Sequence, residues 1–223
     1  HRMTESAVKS DAGVQPDSTP RGWYFLGLLT FVTLYGVIDR RIFVLLADPI
    51  KAEMMLTDAQ LGLLQGLGIA LFGIVVTYPL GWLADRYDRR YVLAGCITVW
   101  SLAVVWCAFA GGFTELLIAS AMVGAGEAGL APIAYALIPL FFYNNKRQLA
   151  NSIYVVGGLL GAGPAVALCG YLIEFADWLR PNLPLALQAL STWRLTFVIA
   201  ALPAPLFVVL VLFLQALLVL GAF

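Results

Sequence analysis

Long runs of apolar residues alternate along the chain with short polar links such as residues 51–55 and 144–147. Six such runs are present, at about 22–47, 57–80, 91–110, 114–142, 149–173 and 194–214. Each has roughly the 20 residues that an α-helix needs to cross the hydrocarbon core of a bilayer. A chain in lipid must satisfy its own backbone hydrogen bonds, which a helix does within one segment. The pattern therefore predicts an all-α membrane protein with six transmembrane helices between residues 22 and 214.

The two ends of the chain differ from this helical part. Residues 1–21 are polar and proline-containing, which predicts a disordered tail, and the two residues before Met3 are interpreted as a tag remnant. Residues 215–223 form an apolar tail. Within the spans, Thr57 and Gln60 have the spacing of a capping box, which predicts the start of the second helix. Small residues also recur four apart, which predicts close helix contacts, at Gly62 and Gly66, Ala125 and Gly129, and Gly157 and Gly161.

The composition excludes an ordinary soluble domain, because 61% of the 223 residues are hydrophobic and only 12% are charged. Lys plus Arg and Asp plus Glu number 13 each, so net charge points to no nucleic-acid partner. The positions of the basic residues do indicate an orientation, because short basic loops stay in the cytoplasm. Eight lie in the tail and in alternate links: Arg2, Lys9, Arg21, Arg86, Arg89, Arg90, Lys146 and Arg147. Both termini are therefore predicted to be cytoplasmic.

The sequence contains no residue pattern that indicates an enzyme. Cys96, Cys107 and Cys169 lie within apolar runs and lack the spacing of a metal or disulfide site. The spans contain neither an H-E-x-x-H nor a G-x-S-x-G motif, so a membrane enzyme that uses paired carboxylates is disfavoured. No catalytic residue, metal or organic cofactor is predicted.

The densest charged run joins the second and third apolar segments, at residues 81–90. It resembles the loop between helices 2 and 3 of the major facilitator superfamily, G-x-L-x-D-R-x-G-R-[RK]. The resemblance implies a gating loop and is carried by Gly81, Leu83, Asp85, Arg86, Arg89 and Arg90. Asp88 replaces the usual glycine, and aspartate tolerates the left-handed backbone that a glycine suggests. Alternatively, the run is only a positively charged turn at the membrane surface.

Several charged residues lie inside the predicted spans, where each costs about 2.5–3.5 kcal/mol on insertion scales. At 1.5 Å per residue, Asp39 lies roughly 12 Å and Glu127 roughly 18 Å from the outer ends of their helices, so one cavity could hold both. Arg40 is predicted to reach this cavity and to hold Asp39 ionised, which leaves Glu127 as the better proton carrier. Arg41 points nearly opposite Asp39, where it either snorkels to the interface or contributes to function. Alternatively, Asp39 and Arg40 form a structural ion pair, and Glu127 is a hydrogen-bonded packing residue.

Four segments resemble one branch of the superfamily, the spinster-like proteins. They are residues 38–40, 56–65, 81–90 and 124–128. That branch exports lysolipids and sphingoid lipids, and its bacterial members are proton-driven. The resemblance implies proton coupling by Asp39 and Glu127, substrate binding by Arg40, and location in a bacterial inner membrane. Aromatic residues expected to form an apolar wall around Arg40 are Tyr35, Phe43 and Tyr135.

The resemblance covers residues 22–214 and implies the N-terminal half of a transporter, built as two inverted three-helix repeats. The chain ends at Phe223, soon after the sixth span, so we expect a truncation before a C-terminal half. The predicted function is that half of a proton-coupled secondary transporter of amphipathic anions or lysolipids, working by alternating access. Alternatives are a transporter of small organic anions and a six-helix assembly or binding module without transport. Predicted partners are the bilayer, the substrate, and either the missing half or, weakly, a second copy.

Overall fold

The computed structural model describes residues 20–220, except for the side chains at 21, 67–69, 144, 186 and 214–220. Its first helices are α1 (Pro20–Leu45), α2 (Ala47–Met54), α3 (Asp58–Gly62), α4 (Ile69–Arg86), α5 (Arg89–Phe109) and α6 (Phe113–Ala128). Those that follow are α7 (Leu130–Leu137), α8 (Asn144–Leu160), α9 (Ala162–Leu179), α10 (Leu185–Gln188), α11 (Thr192–Ala201) and α12 (Ala204–Leu220). A π-helical segment, Leu63–Gly68, joins α3 to α4, and 3₁₀ turns follow α7 and α9.

These helices occupy all six apolar segments of the sequence, and the predicted helical membrane fold is confirmed. Among the described residues, four continuous stretches are long and apolar enough to cross a membrane: Asp58–Arg86, Arg89–Phe109, Phe113–Leu140 and Thr192–Phe213. The helices α8 and α9 pass the same test as a pair, with a bend of 46° between them. The remaining segment, α1, has 26 residues and carries three consecutive charges at positions 39–41.

Local sequence explains where the second span begins and where the first link ends. Thr57 accepts a hydrogen bond from the Gln60 backbone, and the Gln60 side chain accepts one from the Thr57 backbone, so the predicted capping box is present. The predicted link at 51–55 is largely exposed, as expected, but most of it is helical, because α2 continues to Met54. Ile50 is buried on the core side of α2, and Met55 ends the helix in a left-handed conformation with φ of 53°.

Two other polar stretches are also helical. The predicted loop at 144–147 is the first turn of α8, and α9 continues past the predicted end of the fifth span to Leu179. The sixth span likewise continues to Leu220, through most of the predicted apolar tail, and residues 221–223 lie outside the described part. The predicted disordered tail also lies outside it, apart from Pro20 and Arg21, which begin α1.

The helices form a bundle in which α5 packs against α6, α11 and α12, while α1 packs against α8 and α9. Two glycines allow close approach within this bundle. A Cβ atom at Gly126 would lie 2.8 Å from the Cys96 carbonyl oxygen, and one at Gly161 would lie 2.8 Å from the Leu34 side chain. The predicted contact at Gly62 and Gly66 is wrong, since a Cβ atom at either position meets nothing within 4 Å.

Candidate functional site

An ion pair joins α1 to α6. The Arg40 guanidinium donates its Nε hydrogen to Glu127 Oε2. The Glu127 carboxylate is buried, whereas the Arg40 side chain is largely exposed. The predicted pairing of Arg40 with Asp39 is therefore wrong, and with it the argument that Glu127 is the better proton carrier because Arg40 holds Asp39 ionised. Successive helix residues are turned by about 100°, so Arg40 faces α6 while Asp39 faces the bundle interior.

Asp39 occupies the interior without a counter-ion of its own. Its side chain is 3% exposed, and its Oδ1 atom has no hydrogen-bond partner among the described residues. Glu127 is near enough for the two carboxylates to repel each other. Glu127 Oε1 is also buried without a partner among these residues, and the Trp100 indole lies beside Asp39. The two acids, which the sequence predicts to be neighbours, thus form an under-satisfied polar cluster inside an apolar bundle.

A cavity of about 730 Å³ adjoins this cluster between α1, α4 and α6. Polar lining comes from Arg40, Arg41, Gln65 and Thr77. The remaining wall is mostly apolar and consists of Val37, Phe43, Val44, Gly66, Ala70, Gly73, Ile74, Gly124 and Ala128. The cavity therefore places two fixed positive charges beside an apolar surface, which suits a ligand with an anionic head and an apolar body.

Of the three aromatic residues predicted to surround Arg40, only Phe43 lines this cavity. Tyr35 is turned toward α11, where its hydroxyl donates to the Ala200 carbonyl at 2.7 Å. Tyr135 lies edge-on to the Tyr154 ring, with centroids 5.4 Å apart. Arg41, which the sequence leaves open, lines the cavity together with Arg40. Whether a side chain lines the cavity depends on the direction in which it leaves its helix. The pattern of apolar residues alone does not give that direction.

The predicted gating loop is a two-residue link between α4 and α5. Arg89 Nη1 donates to the Ala136 carbonyl of α7 at 3.1 Å, and Arg90 lies over the Phe141 ring. Asp88 has φ of −60°, so the left-handed backbone suggested by the family pattern is wrong for this residue. Its carboxylate instead accepts the Arg90 backbone N–H at 3.0 Å and caps α5. Asp88 thus replaces a flexible glycine with a helix cap.

Two further predicted loop residues lie at the surface, at the end of α4. Gly81 and Asp85 are exposed, and Gly81 has open space where a Cβ atom would be. Arg86 stacks over the Trp82 ring, with its guanidinium 4.4 Å from the centroid. Among the described residues, no group of three His, Cys, Asp or Glu side chains is arranged to hold a metal ion.

A polar cluster that the sequence analysis missed joins α2 to α11. Glu53 accepts hydrogen bonds from Trp193 Nε1 at 2.6 Å and from Arg194 Nε at 2.9 Å. Arg194 also donates to the Ala108 and Ala110 carbonyls at the end of α5. Partial burial alone would raise the pKa of Glu53, but the hydrogen bonds from α11 outweigh it and lower the pKa. The sequence signal was a Trp-Arg pair opening the sixth span, opposite an acid in the first link.

Comparisons with known proteins show the family of the chain. A family model described as Major Facilitator Superfamily matches residues 25–218. An MFS-type efflux pump of Mycolicibacterium smegmatis is 30% identical over 71% of this chain and 37% of its own length. The human protein spinster homolog 1 is 30% identical over 66% of this chain and 28% of its own.

A solved structure supports the same relationship. It is a bacterial homolog of the human lysosomal transporter Spinster, in an inward-facing and occupied conformation. The two chains are 31% identical, with a TM-score of 0.79 over 88% of this chain and 44% of the other. The present chain thus spans less than half the length of the relatives it matches.

Proposed function

Since this chain belongs to the major facilitator superfamily, we propose that it forms the N-terminal half of a proton-coupled secondary transporter of amphipathic anions. Its similarity to spinster proteins and to an efflux pump supports a transport role. Both termini would be cytoplasmic, in a bacterial inner membrane, by the distribution of basic residues. The two halves would alternate access to a site between them.

The observation that carries this proposal is the ion pair between Arg40 and Glu127 beside the buried Asp39, whose Oδ1 atom has no partner among the described residues. While Glu127 is ionised, it neutralises Arg40. When Glu127 takes up a proton, it can no longer pair with the guanidinium, and Arg40 becomes available to an anionic ligand in the cavity. Proton binding and anion binding then favour each other. Through this coupling, a proton gradient can drive movement of the substrate.

The lining of the cavity supports an amphipathic substrate such as a lysolipid. Arg40 and Arg41 supply the positive charge for a phosphate or carboxylate, and Val37, Phe43 and Ile74 supply apolar wall for a chain. Tyr35 and Tyr135 would act indirectly, by supporting the helices that hold the charged residues.

A second candidate is export of small organic solutes, including anions. The similarity to an MFS-type efflux pump favours it, because that relative matches the chain as well as the spinster proteins do. A six-helix binding or assembly module without transport is the third candidate, and no specific contact favours it.

Uptake into proteoliposomes distinguishes these candidates. The sample is a full-length transporter containing this chain, offered a radiolabelled lysophospholipid or a small organic anion, with and without a pH gradient. We expect lysophospholipid movement that the gradient accelerates, and little movement of the small anion. Movement of the small anion alone would support solute export. The absence of any flux, with ligand binding retained, would contradict transport.

A further inference from the structure

A second cavity, which the proposed transport site does not use, opens between α4, α5 and α6. Its volume is about 830 Å³. At its mouth, beside the loop, lie Arg86, Tyr87, Asp88 and Tyr91. Deeper walls come from apolar positions that include Val76, Leu80, Val92 and Val99, and the floor is Ala125 and Gly126. We call this cavity the α4–α5 groove.

The α4–α5 groove is amphipathic along its length. From Tyr91 to Val99 the α5 wall descends about 12 Å at 1.5 Å per residue, and its charged groups lie only at the mouth. Tyr87 and Tyr91 are each more than half exposed there, as aromatic side chains at a membrane interface commonly are. The groove therefore runs from the membrane surface toward the bilayer interior, with its polar end at the headgroup level.

The groove is separate from the candidate transport site. It shares no lining residue with the cavity beside Arg40, because Val76, Leu80 and Leu83 of α4 face the groove whereas Gly73, Ile74 and Thr77 face the other cavity. The α6 helix divides them in the same way, with Ala125 and Gly126 on one side and Gly124 and Ala128 on the other. A ligand of the groove would therefore contact the wall of the transport site without entering it.

We propose that the α4–α5 groove binds one membrane phospholipid, with an acyl chain between α4 and α5 and its phosphate on Arg86. Among the described residues Arg86 forms no ion pair, so its guanidinium is free to take a phosphate while it stacks on Trp82. Asp88, also at the mouth, is engaged with the Arg90 backbone N–H. A lipid that braces α4 against α5 would restrict the relative movement of these helices at the gating loop.

The polar mouth favours a lipid over another protein helix as the occupant. A packed helix would bring apolar side chains to Arg86 and Asp88 and would remove their charges from water, which is costly without paired partners. A phospholipid instead supplies a phosphate at that depth and an apolar chain below it. A second copy of this chain or another protein segment in the groove is an outcome that the test below separates.

Gly95 provides a direct way to fill the groove. It lines the α5 wall, and a Cβ atom there meets nothing within 4 Å, so the side chain of Gly95→Phe begins in the open space of the groove. Gly170 on α9 is the matched control, because it too has open space at the Cβ position and lies outside the groove. Helical content and elution volume of both variants verify that they fold.

Native mass spectrometry of the full chain, titrated with palmitoyl-oleoyl phosphatidylglycerol, measures the binding. We expect one tightly retained lipid for the unaltered chain and for Gly170→Phe. Gly95→Phe should lose roughly tenfold in affinity, because its ring occupies the space of the acyl chain. Equal retention in Gly95→Phe and the unaltered chain overturns the proposal. The proposal is also overturned if Gly95→Phe changes the ratio of monomer to dimer and leaves lipid retention unaltered, because the groove is then a protein interface.

The headgroup contact is tested by the surface variant Arg86→Gln, which leaves the apolar groove intact. We expect it to weaken phosphatidylglycerol binding by roughly tenfold and to leave the weaker binding of uncharged diacylglycerol unaltered. Arg86→Lys should restore most of the difference, because a lysine ammonium still attracts phosphate. Equal affinity of Arg86→Gln and the unaltered chain for phosphatidylglycerol contradicts the assignment of the phosphate to Arg86.

Discussion

In the proposed mechanism, Arg40 offers a positive charge to an anion, and Glu127, which pairs with Arg40, determines whether that charge is free. Arg41 carries the same charge into the same cavity, but Arg40 alone is paired with Glu127. The two arginines can therefore be compared directly. They are the same residue type in the same cavity, and they differ in that only Arg40 is paired with Glu127.

Replacing Arg40 by glutamine should weaken lysophospholipid binding by roughly tenfold or more, because a charge-assisted contact to the phosphate is lost. Binding of an uncharged analogue with the same chain should be nearly unaltered. Arg41→Gln is the comparison: it should also weaken binding, but only the loss at Arg40 should depend on whether Glu127 is protonated. Titration calorimetry in detergent gives the affinities. Equal losses for the charged and uncharged ligands would mean that Arg40 acts only as a brace for Glu127.

At this scale the sequence predicts which residues are unusual but not how they pair. Charges inside apolar runs identify Asp39, Arg40 and Glu127, since each is costly in lipid. Asp39 and Arg40 are neighbours in sequence, which suggests an ion pair between them. Successive residues of a helix point in directions about 100° apart, and this separates the two side chains. The actual partner, Glu127, is 87 positions away. Only the packing of α1 against the fourth span brings it into contact.

At the scale of elements, close contacts at glycine hold α5 to α6 and α8 to α1. Gly126 lies against the backbone of α5, where a Cβ atom would lie 2.8 Å from both the Cys96 oxygen and the Trp100 nitrogen. Backbone atoms cannot move aside as a flexible side chain can. The distance between these two helices is therefore set by the absence of a side chain at Gly126.

Gly126→Ala should destabilise the bundle by roughly 1–3 kcal/mol, the usual cost of overpacking. Gly170→Ala is the matched control. It has open space at the Cβ position, so it should be neutral or slightly stabilising, because alanine favours a helix over glycine. Thermal unfolding in detergent compares the two variants. A Gly126→Ala protein as stable as Gly170→Ala would contradict the close contact.

The contact between α2 and α11 depends on ionised Glu53. Its pKa is lowered in the folded protein, so its contribution to stability is complete above the ordinary value of 4.5 and is lost as pH falls through the lower folded value. Glu53→Gln should therefore reduce stability at neutral pH and reduce its loss on acidification below about pH 5.

The control for this prediction is Glu174→Gln, which removes an exposed carboxylate at the surface of α9. Unfolding midpoints measured between about pH 3 and pH 7 should change less for this variant than for Glu53→Gln. An unaltered pH dependence of stability in Glu53→Gln would show that the hydrogen bonds from Trp193 and Arg194 do not depend on the charge.

Periodicity and composition predict the spans, because an apolar run of this length has few stable structures in lipid. The same predictions are wrong at α2 and at the first turn of α8, where the polar residues suggest loops but the chain is helical. Ile50 makes α2 a helix by burial against the core, a tertiary contact that its neighbours in sequence do not reveal. The capping box at Thr57 succeeds because both of its partners are local.

At the scale of the whole molecule, α4 presents a large unpacked face. Leu71, Phe72, Ile74, Val75 and Tyr78 are all more than half exposed. Relatives of this chain are more than twice as long as the region they share with it. We therefore expect that a C-terminal half completes the transporter against this face, with weak self-association as the alternative for the isolated chain.

The isolated chain should bind ligand but should not accumulate substrate against a gradient. Alternating access needs two halves that move relative to each other around one site. Native mass measurement in mild detergent, with flux assayed on the same sample, tests this prediction. Uphill transport by a strictly monomeric chain would contradict it, whereas co-expression of a C-terminal half should restore the flux.

The most direct test of proton coupling is Glu127→Gln in a full-length transporter that contains this chain. Glutamine keeps the shape and hydrogen-bonding capacity of a protonated glutamate but cannot carry a proton. Proteoliposomes report uptake driven by a pH gradient and exchange of substrate at equal pH. We predict that gradient-driven uptake is abolished and exchange is retained, while Glu174→Gln retains both. Gradient-driven uptake by Glu127→Gln equal to that of the unaltered protein would contradict the central role of Glu127.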